Sequence, residues 1–230
     1  MKLFTASALA GAAALALLAS AGAASAQDAA ITANIGVTSD YVFRGFSQTN
    51  EDPAVQGGVD VTVGSFYAGA WASNVDFGDN TEAEIDVYGG FRGETAGYAW
   101  DVGVITYLYA PGANQDYDYV ELKAAGSRAF GPVTAGVAGY YSPDFFGVDK
   151  EAFYGEVNAS YATPVTGLSV SGALGQQWLN VTDDYVTWNL GATYAFAGTP
   201  LALDVRYTGT DVDNAPLADD RVFATLKATF

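Results

Sequence analysis

Residues 82–92 read Glu82-Ala83-Glu84-Ile85-Asp86-Val87-Tyr88-Gly89-Gly90-Phe91-Arg92. Ala83, Ile85, Val87 and Phe91 fall on one parity, and Glu82, Glu84, Asp86 and Arg92 fall on the other. Successive side chains of a strand point to opposite faces, so this spacing predicts a β-strand with one greasy side and one charged side.

The alternation runs outward in both directions. Towards the N-terminus, Tyr67, Trp71, Val75 and Phe77 oppose Asn74 and Asp76, while Val55, Val59, Val61 and Val63 oppose Gln56, Asp60 and Thr62. Before them, Ala33, Ile35, Val37, Tyr41 and Phe43 oppose Asn34, Thr38, Asp40 and Arg44. Towards the C-terminus, Trp100, Val102 and Val104 oppose Asp101, and Val120, Leu122 and Ala124 oppose Glu121 and Lys123. Val133, Val137 and Tyr141 follow, then Phe153, Val157 and Tyr161 against Glu156, Asn158 and Ser160. Leu168 and Val170 oppose Ser169 and Ser171, and Trp188 and Leu190 oppose Thr187 and Asn189. Leu203 and Val205 oppose Asp204 and Arg206, and Val222, Leu226 and Phe230 oppose Arg221, Thr225 and Lys227. This makes twelve candidate strands, most of them about 10–13 residues long. Soluble strands average ~5–6 residues, whereas membrane-spanning ones need ~9–11.

The connections alternate too. Short turns sit at Gly64-Ser65, Thr95 to Gly97, Gly131-Pro132, Thr166-Gly167 and Gly198 to Pro200. Longer polar loops sit at Phe46 to Pro53, Gly78 to Thr81, Pro111 to Tyr117, Phe146 to Lys150, Asn180 to Asp184 and Asp213 to Asp219. Strict interleaving puts both termini on the short-turn side, the asymmetry of outer-membrane barrels with short periplasmic turns and longer external loops.

Composition removes most chemistry. The 230 residues include no Cys and no His, so thiol nucleophiles, disulfides, imidazole bases and the usual zinc ligands are absent. Nine Lys and Arg against 26 Asp and Glu give a net charge of −17, the wrong sign for nucleic acid. No cofactor and no metal site is expected. Asp211-Val212-Asp213-Asn214 begins like a calcium loop, but Ala215 and Pro216 replace the needed ligand and glycine. The loop pairs Asp183-Asp184 and Asp219-Asp220 either bridge through divalent cations to lipopolysaccharide phosphates or are plain solvated acids.

The N-terminus reads as a secretory signal peptide over residues 1–26. Lys2 precedes an apolar Leu/Ala run, and Ala24-Ser25-Ala26 is a small-x-small cleavage site before Gln27. The barrel domain then spans 27–230. A soluble barrel would turn its apolar face inward; a membrane barrel turns it to lipid. Long strands, charges mixed with small residues on the polar face, and aromatics near strand ends favour the membrane barrel. Those aromatics are Tyr41, Phe43, Phe66, Tyr67, Phe77, Trp100, Tyr141, Phe153, Tyr161, Trp188 and Phe196. Arg128 alone falls on the outward parity, close to Gly131-Pro132, where it snorkels or follows a bulge.

Several stretches carry a resemblance. Ser39-Asp40-Tyr41-Val42-Phe43-Arg44-Gly45, residues 53–58, residues 67–77 and Glu84-Ile85-Asp86-Val87-Tyr88-Gly89-Gly90 together resemble the TorF-family porins of proteobacteria. The resemblance covers essentially the whole chain after the leader. It implies a pore-forming role in the cell outer membrane of a Gram-negative bacterium, with no catalytic residues and no settled substrate. The ending Leu226-Lys227-Ala228-Thr229-Phe230 resembles the insertion signal read by the barrel-assembly machinery.

Parity places Asp40, Asp60, Asp76, Glu82, Glu84, Asp86, Asp101, Glu121, Glu156 and Asp204 inward, with Arg44, Arg92, Lys123, Arg206, Arg221 and Lys227. This net negative lining predicts cation preference if the pore conducts. Tyr88, Tyr107, Tyr109, Tyr119, Tyr140, Tyr154 and Tyr185 also point inward, either narrowing the lumen or offering a stacking surface. The expected function is passive diffusion of small hydrophilic solutes, and no enzyme activity. The alternative is a structural or adhesive barrel with a plugged lumen, its charges paired across the interior. Lipid and lipopolysaccharide are the expected surroundings; oligomeric state is not legible.

Overall fold

The structure is a computed structural model that describes residues 29–110 and 117–230. The predicted signal peptide at 1–26 and most of the Pro111 to Tyr117 loop lie outside the described residues. Fourteen strands follow in order: β1 Ala30–Thr38, β2 Val42–Phe43, β3 Phe46–Ser47, β4 Ala54–Val63, β5 Phe66–Asn74, β6 Ala83–Thr95 and β7 Tyr98–Ala110. Then come β8 Tyr119–Phe130, β9 Val133–Ser142, β10 Ala152–Ala162, β11 Leu168–Leu179, β12 Tyr185–Ala195, β13 Leu201–Thr210 and β14 Arg221–Thr229. All but β2 and β3 form one closed antiparallel barrel of twelve strands. β1 closes it, pairing Ile35 with Ala228 of β14 and Ile35 with Gly57 of β4. Closure satisfies the backbone groups that an open sheet would leave at its edges, which hydrocarbon does not tolerate.

Polarity follows the strand period. Val55, Val87, Leu122, Val137, Leu190 and Val222 stand on the outside, while Glu84, Asp86, Glu121 and Arg206 are buried within. A water-facing belt of this kind would far exceed the few hundred Å² of apolar patch that soluble monomers carry. Lipid is the solvent that suits it. The outer aromatics Phe66, Phe91, Tyr98, Trp100, Phe130, Tyr141, Phe153 and Tyr161 lie on this exposed surface. Arg128 is outward as expected, without a bulge, since its pairing with Ala135 is in continuous register. Its Nη1 donates to the Tyr98 hydroxyl at 2.7 Å, and its guanidinium lies over the Tyr98 and Phe130 rings.

Two expectations of orientation are corrected. In β5, Tyr67 and Trp71 face inward, and Ala68, Ala70 and Ala72 take the outer face. The large aromatics had suggested the lipid side, but β5 pairs Asp60 with Gly69, and both are on the inner face. Gly69 is required there: a Cβ would sit 2.6 Å from the Tyr88 ring, which packs across it. The Tyr67 hydroxyl donates to Asp101 Oδ1 at 2.7 Å, and Trp71 meets Tyr41 edge to face. Val75 and Phe77, beyond the end of β5, also turn inward, Phe77 packing on Tyr109 and Tyr117.

The second correction concerns the first strand. β1 stops at Thr38, so Tyr41 and Phe43 are not outer aromatics. The chain instead turns into the barrel, and β2 and β3 form a miniature hairpin there.

Candidate functional site

The hairpin is built by its own turn. Arg44 and Gly45 both have positive φ, 47° and 89°. Tight two-residue hairpin turns favour this pattern because its twist matches the flanking strands. Gly45 has no room for a side chain: a Cβ would collide with the Thr210 methyl and lie 2.8 Å from Thr187 Oγ1. The tip therefore rests directly on β12 and β13.

Each side of the loop is tied to the wall. Asp40 Oδ1 accepts from Ser47 Oγ at 2.7 Å and Thr49 Oγ1 at 3.1 Å, closing the loop on itself. Asp40 Oδ2 accepts from Arg221 Nη1 at 3.0 Å, pinning it to β14. The Tyr41 hydroxyl donates to Glu84 Oε1 of β6 at 2.9 Å.

Arg44 is the deepest tie. Its Nη1 and Nη2 donate to Glu121 Oε1 and Oε2, both at 2.8 Å, and Nη1 also donates to Gln177 Oε1 at 3.0 Å. The Phe43, Tyr154 and Tyr140 ring centroids lie 4.6, 4.4 and 5.1 Å from its guanidinium carbon. Arg44 is only 6% exposed and Glu121 1%. Burial pushes the guanidinium down, but the Glu121 charge and hydrogen bonds outweigh it and hold Arg44 above its ordinary range. Burial, then the Glu84 charge, raises the Tyr41 phenol, which stays a donor.

Aromatics complete the seal at the long-loop end. Tyr107 and Tyr119 stack at 4.3 Å, and Phe146, from the short turn Phe145–Gly147, stacks on Tyr119 at 4.9 Å. Towards the short turns the wall changes character, with Ser, Thr, Gly and Asn around paired charges. Lys123 Nζ donates to Asp101 Oδ2 at 2.8 Å, and Tyr88 to Asp60 Oδ1 at 2.7 Å. Arg206 donates to Asp204, Asn189 and Ser171. Arg92 Nη2 donates to Thr62 Oγ1 at 2.8 Å, and Glu156 accepts from Tyr154 and Asn158. Among the described residues the arrangement is a charged, hydrogen-bonded interior with a strap folded into its long-loop end.

A family model described as "Bacterial protein of unknown function (Gcw_chp)" matches residues 20–230. The chain belongs to this family. No curated protein sequence matches it. Among solved structures, the Gcw_chp chain is similar to the KdgM porin, with a TM-score of 0.59 at 6% identity over 86% of this chain and 98% of that one. It is similar to the NanC porin, with a TM-score of 0.57 at 11% identity over 87% and 99%. The COG4313 outer membrane channel from Pseudomonas putida F1 gives a TM-score of 0.53 at 13% identity over 90% and 97%. Identities this low speak for the fold, a porin-like barrel.

In the Gcw_chp chain, Asp60, Glu84, Asp86, Asp101, Glu121, Glu156 and Asp204 lie on the inner wall, with Arg92, Lys123, Arg206 and Lys227. Arg221 starts β14 at the long-loop rim. Asp76 and Glu82 do not lie inward as expected, whereas Asp40 and Arg44 do, but from a different element. Asp40 and Arg44 belong to the strap rather than the wall, because β1 ends before them. Asp76 and Glu82 are exposed in the loop between β5 and β6, where the strand parity has run out. Asp76 Oδ1 there accepts from the Gly78 backbone N–H at 2.9 Å, a local turn. Gln177 was not among the expected site residues. Its signal was available, since it shares the parity of Ser169 and Ser171 on β11.

Proposed function

We propose that this Gcw_chp protein is an outer-membrane channel for small hydrophilic solutes, that it prefers cations, and that its first long loop closes it at rest. The observation that carries the reading is the inversion of polarity: an apolar outside with an inside of charged and hydroxyl side chains. The TorF-like motifs support the same role, and the leader over residues 1–26 supports export across the inner membrane. A channel of this kind needs no catalytic residue.

Cation preference is supported by the charge gradient along the path. The long-loop end carries Asp76, Asp79, Glu82, Asp144, Asp149 and Glu151. A confined path lined by carboxylates concentrates counter-ions. The same exposed acids suit divalent bridges to lipopolysaccharide, and the terminal Phe230, exposed and apolar, suits recognition by the assembly machinery.

The buried Arg44–Glu121 pair favours a second reading, a permanently plugged structural barrel. Conductance separates the two. Refolded protein in a planar bilayer under a KCl gradient is expected to show channel events with a cation-selective reversal potential. An anion-selective sign overturns the ion preference. Silence in the wild type and in R44G alike leaves only the plugged barrel.

A further inference from the structure

We infer that the wall pocket gripping Arg44 is a binding site for guanidinium-bearing solutes, and that Arg44 occupies it as an internal stand-in. The inference deepens the channel reading and rests on it for the route by which the solute arrives.

The pocket is shaped for a planar guanidinium rather than for a generic cation. Glu121 offers its two oxygens to two nitrogens at equal distances of 2.8 Å, the fork-on-fork geometry that an ammonium does not make. Both acceptors are oriented by other wall residues. The Tyr107 hydroxyl donates to Glu121 Oε2 at 3.0 Å, and Gln177 Nε2 donates to the Phe153 carbonyl at 3.2 Å, so the Gln177 oxygen is turned towards the guanidinium. The Tyr140 and Tyr154 rings add cation–π contacts.

Every one of these groups except Arg44 sits on a barrel strand. Glu121 is on β8, Tyr140 on β9, Tyr154 on β10, Gln177 on β11 and Tyr107 on β7. The strand pairing that positions them makes no use of the strap. Withdrawal of the strap therefore leaves the pocket assembled but Glu121 without its cation, a costly state for a buried carboxylate. A guanidinium solute replaces that charge in the same geometry and shifts the balance towards the withdrawn strap. The strap is also strained at the residue that competes, since Arg44 holds φ 47°.

The test uses R44G, because glycine accepts that backbone angle and removes the competing side chain. Detergent-refolded R44G is titrated calorimetrically with methylguanidinium chloride, with ammonium chloride at equal ionic strength as control. The expected result is saturable one-to-one binding of methylguanidinium, weakened at least about tenfold in R44G/E121Q, with no matching response to ammonium. Absence of binding, or equal binding in R44G and R44G/E121Q, overturns the site. The potassium current of R44G is read in the same preparation. Current without binding overturns the site and leaves the channel; binding without current keeps the site and overturns the channel. The wild-type chain gives a second readout should R44G not refold. Methylguanidinium, against ammonium, is expected to speed chymotryptic nicking after Phe43 or Phe46 as the strap is displaced; equal rates overturn the proposal.

Discussion

Arg44 and Glu121, 77 residues apart in the chain, meet inside the barrel through two parallel hydrogen bonds of 2.8 Å. The loop that carries Arg44 is held at several places, and among the described residues this is its most deeply buried ion pair, with side chains 5% and 2% exposed. Removing one member of such a pair strands the other in a medium that solvates it poorly, and typically costs about 3–5 kcal/mol. E121A is therefore expected to lose that much stability in urea unfolding followed by tryptophan fluorescence. R44G is expected to lose less, since it also releases the left-handed backbone at position 44. Equal losses in the two variants would show that backbone strain plays no part.

The strap tip gives a separate test that touches no charge. At Gly45 an added methyl group meets the Thr210 side chain and Thr187, and φ is 89°. G45A is expected to cost about 1–3 kcal/mol where the tip stays seated. Where it does not, the strap leaves and single-channel open time rises. A variant with wild-type stability and wild-type gating would mean that the tip does not contact β12 and β13.

Lipid on the outside predicts a depth-dependent cost of charge. Val104, midway along β7, is on the exposed apolar face. V104R is expected to destabilise refolded protein in vesicles by about 2–4 kcal/mol, the cost of a cation near the midplane. R128A is expected to cost under about 1 kcal/mol, because Arg128 lies near the short turn and reaches the Tyr98 hydroxyl at the interface. A negligible effect of V104R would place that face in water.

These contrasts also explain what could be read from the sequence. Where a strand alternates Val or Ile with Glu or Asp, as around Ile85 and Val87, one-dimensional parity fixes the face, because a charge on the lipid side is prohibitive. β5 has no charge within it, so parity carried no such penalty. The bulk of Tyr67 and Trp71 suggested lipid, but their partners Asp101 and Tyr41 arrive from elsewhere in the chain. The strap fails to show for a related reason. Tyr41 to Arg44 continue the alternation of β1 without a break, and the turn that redirects them is marked only by Arg44-Gly45. Glu121 was legible as an inward acid; that its partner is Arg44 depends on closure of the barrel, which brings distant residues together.

A pH dependence belongs to the long-loop end. The Thr81 backbone N–H donates to Asp79 Oδ1 at 2.7 Å, and the Tyr117 hydroxyl donates to Oδ2 at 2.9 Å. The Thr81 bonds chiefly, with Tyr117 in addition, hold the Asp79 carboxyl below its ordinary range. Desolvation, then the bond to Asp79, raises the Tyr117 hydroxyl, so it remains a donor at neutral pH. A carboxylate depressed in the folded state contributes stability above its unfolded value, about 3.9, and loses it as the pH falls through the lower folded value. The contact between Tyr117 and the loop after β5 is therefore expected intact at pH 5 and released only below about 4. Carboxyl NMR of the detergent-solubilised protein reads the Asp79 midpoint directly. D79N is expected to remove the acid transition of Tyr117 while leaving the barrel folded, because the contact lies outside the strands. An Asp79 midpoint at or above the ordinary carboxylate value would mean that the Thr81 turn is not formed in solution.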